Sequence, residues 1–328
     1  MNNIKILGID IYHGEKEVYN DFYIDHYKKN PNIDIERLKK LYKSVGREKR
    51  YIIDNDDTTL SMAIKASKKV LKQTNLKGED IDLIIFSSQL PEYVAPPSSS
   101  LIHKEIHAKE TCQFMDLNLN CAGMVFSLSI IKSMMNSNKN INKVLLVGCD
   151  NINLFADKNN IFIYGFYGDV ACATIFEKTN DDSNIISYNN MIDYSDDNLV
   201  RFPRCGFSNI KNDISSLTAI FNFPNPSIKS TIKSINKTLQ DGNINIDDID
   251  LFCFSQFSKK LNKQIIEKLN IDEKKVPYIA DQYGYTGTTS PFLVLYEKIK
   301  NNELKRGDLI LFWTIGIGES YPSCLIKF

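Results

Sequence analysis

GEDIDLIIFSSQ (78–89) and GNINIDDIDLFCFSQF (242–257) repeat one pattern: Ile81-Asp82-Leu83 in the first returns as Ile249-Asp250-Leu251 in the second, 168 positions later. The helical stretches before them match at the same spacing, Leu71 falling on Leu239. The apolar run VLLVG near 144 has a counterpart in LILFWTIG near 309, at a spacing of 164. Two unrelated amphipathic helix–strand units can give one such match. Three elements in one order at nearly one spacing point instead to two copies of a single fold. The join is expected near residue 178, where KTNDDSN (178–184) is polar, giving halves 1–178 and 179–328.

Strands and helices alternate outward from the repeat, which predicts an α/β protein. IKILGIDIY (4–12), VLLVGCD (144–150) and VACATIFEK (170–178) read as strands, and IDLIIFSS (81–88) as a buried one. DIERLKKLYKSVG (34–46) and SSSLIHKEIH (98–107) read as helices. From Thr58, apolar residues at Leu60, Ala63, Ala66, Val70 and Leu71 keep helical spacing, with Asp57 or Thr58 as N-cap.

Composition narrows the function. The 40 Lys and Arg balance the 40 Asp and Glu, whereas a nucleic-acid binder carries a basic footprint. Four histidines leave little for metal or imidazole chemistry. The seven cysteines include no CxxC pair and sit mostly in apolar runs, as free thiols of a reducing cytoplasm do. No apolar stretch reaches the length of a membrane span, and MNNIKILGID lacks a signal-peptide core. A cytoplasmic protein is expected. No GxGxxG, P-loop or metal-ligand cluster occurs, so no cofactor and no metal are expected.

Cys121 is the main candidate for chemistry. It lies where the strand Phe114 to Leu119 turns into the helix Ala122 to Met135. Unpaired N–H groups and the positive end of a helix there favour thiolate, the nucleophilic form. Ala122 and Gly123 are small enough for a substrate to approach the sulfur. A buried structural cysteine fits the same position.

LNLNCAGMVFSL and the duplicated halves resemble the thiolase superfamily, in particular its β-ketoacyl-acyl-carrier-protein synthase III branch, whose nucleophile lies in a DxxxxCxG stretch matched by Asp116 and Cys121-Ala122-Gly123. VGREKR (45–50) resembles the family's TGIxxR segment, LPEYVAPPSSS (90–100) its TPDxxxPS loop, YGFYGDVACATIFEK (164–178) its FGDGAGAVVL segment, and GDLILFWTIGIGES (307–320) its terminal strand and loop. The resemblance implies a thiolase fold, two halves stacked as five α-β-α-β-α layers. It also implies a Cys121 acyl-thioester, an oxyanion hole at Cys121 and the Gly316-Ile317 region, and a dimer. Acyl-CoA or an acyl carrier protein is the implied partner. Gly206 and Phe207 fall beside the expected pantetheine arm. Arg47 and Arg50, with Lys49, are expected to grip the carrier or to form a solvated charge run. Ser44 stands where the family places a nucleotide-binding arginine.

Two positions depart from the family. Ser255, in SQFS, stands at the histidine, and Tyr285, in YGYTG, at the asparagine. A serine cannot hold positive charge or act as a base near neutral pH, and tyrosine is far bulkier than asparagine. The resemblance therefore implies acyl loading of Cys121 and transfer to a non-malonyl acceptor, in specialised metabolism. The alternative is a catalytically weak subunit that pairs with an active homologue as a heterodimer rather than forming a homodimer. A decarboxylating synthase III is the least favoured. His103 and His107 share one predicted helix at i, i+4 without a third ligand. His13 and His26 have no motif around them. Glu92, Glu319 and Asp169 are the other acids near the expected site, Asp169 read as structural. Phe126, Phe207, Phe257 and Tyr285 are expected to line the pocket.

Overall fold

The computed structural model describes residues 3–53, 56–193, 200–210, 220–221 and 226–328. Two sheets form its body. In spatial order the first runs Asn3–His13, Val170–Thr179, Lys143–Gly148, Leu83–Ser87 and Gln113–Leu117, and the second Leu251–Phe254, Leu309–Trp313, Ser320–Lys327 and Asn184–Ile192. The first joins β1 (Asn3–His13), β4 (Leu83–Ser87), β5 (Gln113–Leu117), β6 (Lys143–Gly148) and β7 (Val170–Thr179). The second joins β8 (Asn184–Ile192), β11 (Leu251–Phe254), β12 (Leu309–Trp313) and β13 (Ser320–Lys327). Pairing repeats between them. β1 is antiparallel to β7, β7 to β6, and β6 is parallel to β4. In the same way β8 is antiparallel to β13, β13 to β12, and β12 is parallel to β11.

The repeated Ile-Asp-Leu explains itself here. Asp82 accepts from the backbone N–H of Asn142 and Lys143 at 2.7 and 2.8 Å, and Asp250 from that of Leu309 at 2.8 Å. Each carboxylate pins the first residue of the neighbouring strand and so sets the parallel register. The leucine that follows starts a strand buried along its whole length in both halves.

Helices complete five layers. α5 (Gly123–Ser137) and α9 (Ser290–Lys300) lie between the sheets, where Met124, Leu128, Phe292 and Leu295 join Ile85, Leu146, Ile310 and Cys324 in the central core. α3 (Thr59–Gln73) and α4 (Ser98–Glu105) cover the outer face of the first sheet. α6 (Ile228–Gly242) and α7 (Lys259–Leu269) cover that of the second. The α/β thiolase-type arrangement is the one the sequence implied.

The caps follow the sequence closely. Thr58 closes a reciprocal capping box with Ser61 at the start of α3. α2 (Ile35–Val45) begins on Asp34 and ends on Gly46 at φ 68, the left-handed conformation that favours glycine. α4 ends at Glu105, and His107 turns to φ 55. His103 and His107 therefore do not share a helix, which corrects that expectation. Among the described residues no group of three or more His, Cys, Asp and Glu side chains is placed to hold a metal. No described helix is long and apolar enough to cross a membrane. The sequence reading did not name α1 (Asn20–Tyr27) or the antiparallel pair of β2 (Lys16–Tyr19) and β3 (Lys49–Ile52), nor β8, α7 and α9.

Candidate active site

Cys121 sits in a single 3-10 turn, Asn120–Ala122, between β5 and α5. Asn120 takes φ 51, a left-handed turn that asparagine tolerates better than most residues. Its side chain bonds the Ile317 carbonyl at 3.2 Å, and the Thr314 hydroxyl bonds the Cys121 carbonyl at 3.3 Å. Asp116, five residues upstream, accepts from the N–H groups of Ser98 and Ser99 at 2.7 and 2.8 Å. It caps α4, so its part is to anchor the strand that leads to Cys121.

Cys121 is 7% exposed and packs in a cluster with Tyr167, Tyr285, Phe166 and Ile152. The Tyr285 hydroxyl, the cysteine's own N–H and the Gln89 side chain lie within reach of the sulfur. Ser255 stands beyond Tyr285. Its hydroxyl is fully buried and has no hydrogen-bond partner of good geometry. The three residues placed at the family's catalytic positions thus converge. Phe257 packs edge-on to the Tyr285 ring at 5.5 Å, and Tyr167 lies 5.6 Å away on another side. Phe126 pairs with Tyr188 instead, and Phe207 is 65% exposed.

The electrostatics reverse the expected activation. Burial pushes the Cys121 thiol up to about 12, and the nearby Asp150 charge pushes the same way. Contacts with Tyr285, the Cys121 N–H and Gln89 offset only part of this. The helix start supplies little, because its N–H groups are spent. Ala122 donates to the Leu119 carbonyl at 3.0 Å, Gly123 to the Asn120 carbonyl, and Met124 to the Thr288 hydroxyl at 2.9 Å. Nor do the small residues open a path for substrate. A Cβ on Gly123 would strike the Ser87 hydroxyl, and one on Gly316 would lie 2.8 Å from the Ala122 Cβ. Gly123 makes room for Ser87 within the first half, and Gly316 for Ala122 across the two halves.

Asp150 is the buried acid that sequence reasoning missed. Its Oδ1 accepts from the Ser88 hydroxyl at 2.9 Å and the Gln89 N–H at 2.8 Å, and Gln89 Nε2 lies 3.4 Å from Oδ2. A Cβ on Gly287 would fall 2.9 Å from that same oxygen, and Gly287 itself has φ 61. Burial raises the carboxyl to about 6 despite these donors. The only local signal was an acid ending an apolar strand, in VGCD.

Other expected site residues lie elsewhere or are occupied. Gly316 N–H donates to the Ser320 carbonyl at 2.8 Å and is not free for an oxyanion. Arg47 and Arg50 are buried rather than solvated. Every N–H of the Arg47 side chain is committed within the protein, leaving none for a carrier. Arg50 donates to the Gly165 and Glu48 carbonyls and the Asn20 side chain, with its guanidinium between the rings of Tyr23 and Tyr42. Asp169 accepts from Ile53 N–H and Asn153, a structural latch. Glu92 is exposed, and Glu319 accepts from the Tyr321 hydroxyl. A surface pocket of about 280 Å³ opens between α2 and residues 161–162, lined by Arg37, Lys40, Leu41, Ser44, Ile161 and Phe162.

Known proteins share this architecture. β-Ketoacyl-acyl-carrier-protein synthase III of Aquifex aeolicus is 27% identical over 302 residues, 90% of this chain and 94% of that protein. The enzyme of that name from Clostridium perfringens is 28% identical over 344 residues, covering both chains fully. OleA of Xanthomonas campestris, solved with lauric acid and lauroyl-CoA, superposes with a TM-score of 0.86 over 99% of each chain at 18% identity, a likeness of fold. The family profile of 3-oxoacyl-acyl-carrier-protein synthase III matches residues 115–193, and the profile of its C-terminal part matches residues 239–328. Those segments hold Cys121, Ser255 and Tyr285, and the chain belongs to the 3-oxoacyl-acyl-carrier-protein synthase III family.

Proposed function

We propose that this chain is an acyltransferase that loads an acyl group on Cys121 from an acyl-CoA or acyl carrier protein and passes it to a non-malonyl acceptor. The observation that carries the reading is the Cys121 sulfur held against the Tyr285 hydroxyl and its own N–H. Loading forms a bond from Cys121 sulfur to the acyl carbonyl carbon and breaks that carbon's bond to the donor sulfur. The thiol proton leaves with the donor thiol. In the second step the acceptor's lone pair attacks the acyl carbon, the carbon–sulfur bond to Cys121 breaks, and the acceptor's proton returns to the sulfur. An amine brings its own nucleophilicity, so this step does not call on the missing imidazole.

Burial holds the Tyr285 phenol well above its ordinary range, so it stays a donor throughout. With Ser255 and Tyr285 in place, no cationic donor faces an enolate, which disfavours malonyl decarboxylation. The pocket formed by Arg37, Lys40 and Ser44 suits an anionic carrier arm, and exposed Phe207 beside Gly206 suits its apolar stem. The competing reading, a weak subunit paired with an active homologue, draws on the high thiol pKa and the 7% exposure of Cys121. The assembly favoured here is a homodimer joined at the exposed edge of β5.

Release of free CoA from a panel of acyl-CoAs, with and without amine acceptors, tests the proposal. Acceptor-dependent release that vanishes in Cys121→Ala is expected. Brisk carbon dioxide release from a malonyl thioester would return the chain to the decarboxylating class.

A further inference from the structure

Arg47 takes no part in the reaction proposed above, yet it bonds to the segment that follows Ser255 and to the one that pairs with Tyr285. Its Nε donates to the Phe166 carbonyl at 3.1 Å. Nη1 donates to the Val45 carbonyl at 2.8 Å and to the Tyr278 hydroxyl. Nη2 donates to the carbonyls of Gln256 at 3.1 Å and Phe257 at 2.8 Å. No partner in this set is a carboxylate. A buried cation held only by neutral oxygens is costly, and an apolar side chain would fill the space at less expense.

What the guanidinium gains is geometry. Gln256 and Phe257 directly follow Ser255, and Phe257 packs on the Tyr285 ring. The Phe166 carbonyl that accepts from Arg47 also accepts from Tyr285 N–H at 3.1 Å. Tyr278, the fifth partner, donates in turn to the Val45 carbonyl. One planar fork thus ties the segment after Ser255 to the segment beside Tyr285, and both to the end of α2. Lysine has no such fork and cannot hold several carbonyls at fixed angles.

We infer that Arg47 is a positioning residue that locks the Ser255 and Tyr285 segments together and keeps the Tyr285 hydroxyl on the Cys121 sulfur. Its consequence for turnover rests on the acyl-transfer reading, but the geometry is testable on the sulfur itself. The measurement is the rate of Cys121 alkylation by iodoacetamide at mildly alkaline pH, followed by peptide mass. It compares wild type, Arg47→Lys, Tyr285→Phe and the double variant.

Losing the phenol contact removes one hydrogen bond to the thiolate, so Tyr285→Phe is expected to slow alkylation about fivefold. Arg47→Lys should slow it comparably, and the double variant should be no slower than Tyr285→Phe alone, as residues acting through one contact are non-additive. Faster alkylation in Arg47→Lys, which simple loosening of the core would give, overturns the inference. So does an unchanged rate, or two effects that multiply. Should Arg47→Lys fail to fold, Tyr278→Phe removes one partner and leaves the guanidinium. A slowing of about twofold that disappears in the Tyr285→Phe background is then expected, and no slowing, or a slowing that persists there, overturns the inference. If no donor acylates the wild type, the acyl-transfer reading falls, while the alkylation series still decides the role of Arg47.

Discussion

Burial and a neighbouring carboxylate hold the Cys121 proton in place, against the pull of Tyr285 and the cysteine's own N–H. A thiol lifted to about 12 exposes a tenfold larger thiolate fraction for each unit of rising pH until that value is approached. Alkylation of Cys121 should therefore climb about tenfold per unit between about pH 7 and 9 with no plateau. A plateau near neutrality would mean a resting thiolate and would contradict this electrostatic picture. The sequence placed Cys121 where a strand turns into a helix, and the structure puts it there, between β5 and α5. Tyr285 beside the thiol was legible through the family resemblance, but Gln89 and Asp150 were not, since both are remote in the chain and no motif marks them. Arg47 and Arg50 were misread for a related reason: charge in a sequence looks solvated, and only the fold shows which carbonyls surround it.

The Ile-Asp-Leu elements were the most legible part of the chain, and their chemistry is local. Asp82 satisfies the backbone N–H of Lys143, the first residue of β6, and of Asn142 just before it, and pairs with Lys109, whereas Asp250 satisfies one N–H of β12. Buried or half-buried donors left without a partner cost roughly 1–3 kcal/mol each. Asp82→Ala should destabilise the protein by about 3 kcal/mol and Asp250→Ala by about 1 kcal/mol in denaturant unfolding. Equal or negligible losses would remove the staple as the reason for the repeat. Helix boundaries were readable where a cap announced them, as at Thr58 and Gly46. They were missed at α1, whose N-cap Tyr19 makes no side-chain cap bond, and at the His107 turn.

Across the whole molecule, duplication places Cys121 at the start of one central helix and the Tyr285 segment just before the other, so the site forms where the halves meet. The same architecture leaves β5 as an outer strand with Phe114 45% exposed. Unpaired edges of this kind invite another strand. The chain should elute at twice its monomer mass in light-scattering chromatography, and Phe114→Asp should shift it toward monomer; a wild-type monomer would rule out the homodimer. The central claim is that Cys121 carries an acyl group. Intact-protein mass spectrometry after incubation with acyl-CoA and acyl-carrier thioesters measures that directly. The account predicts an increase equal to one acyl group, mapped to Cys121 and lost in Cys121→Ala. An unchanged mass with every donor, or an adduct that survives the substitution, would contradict it.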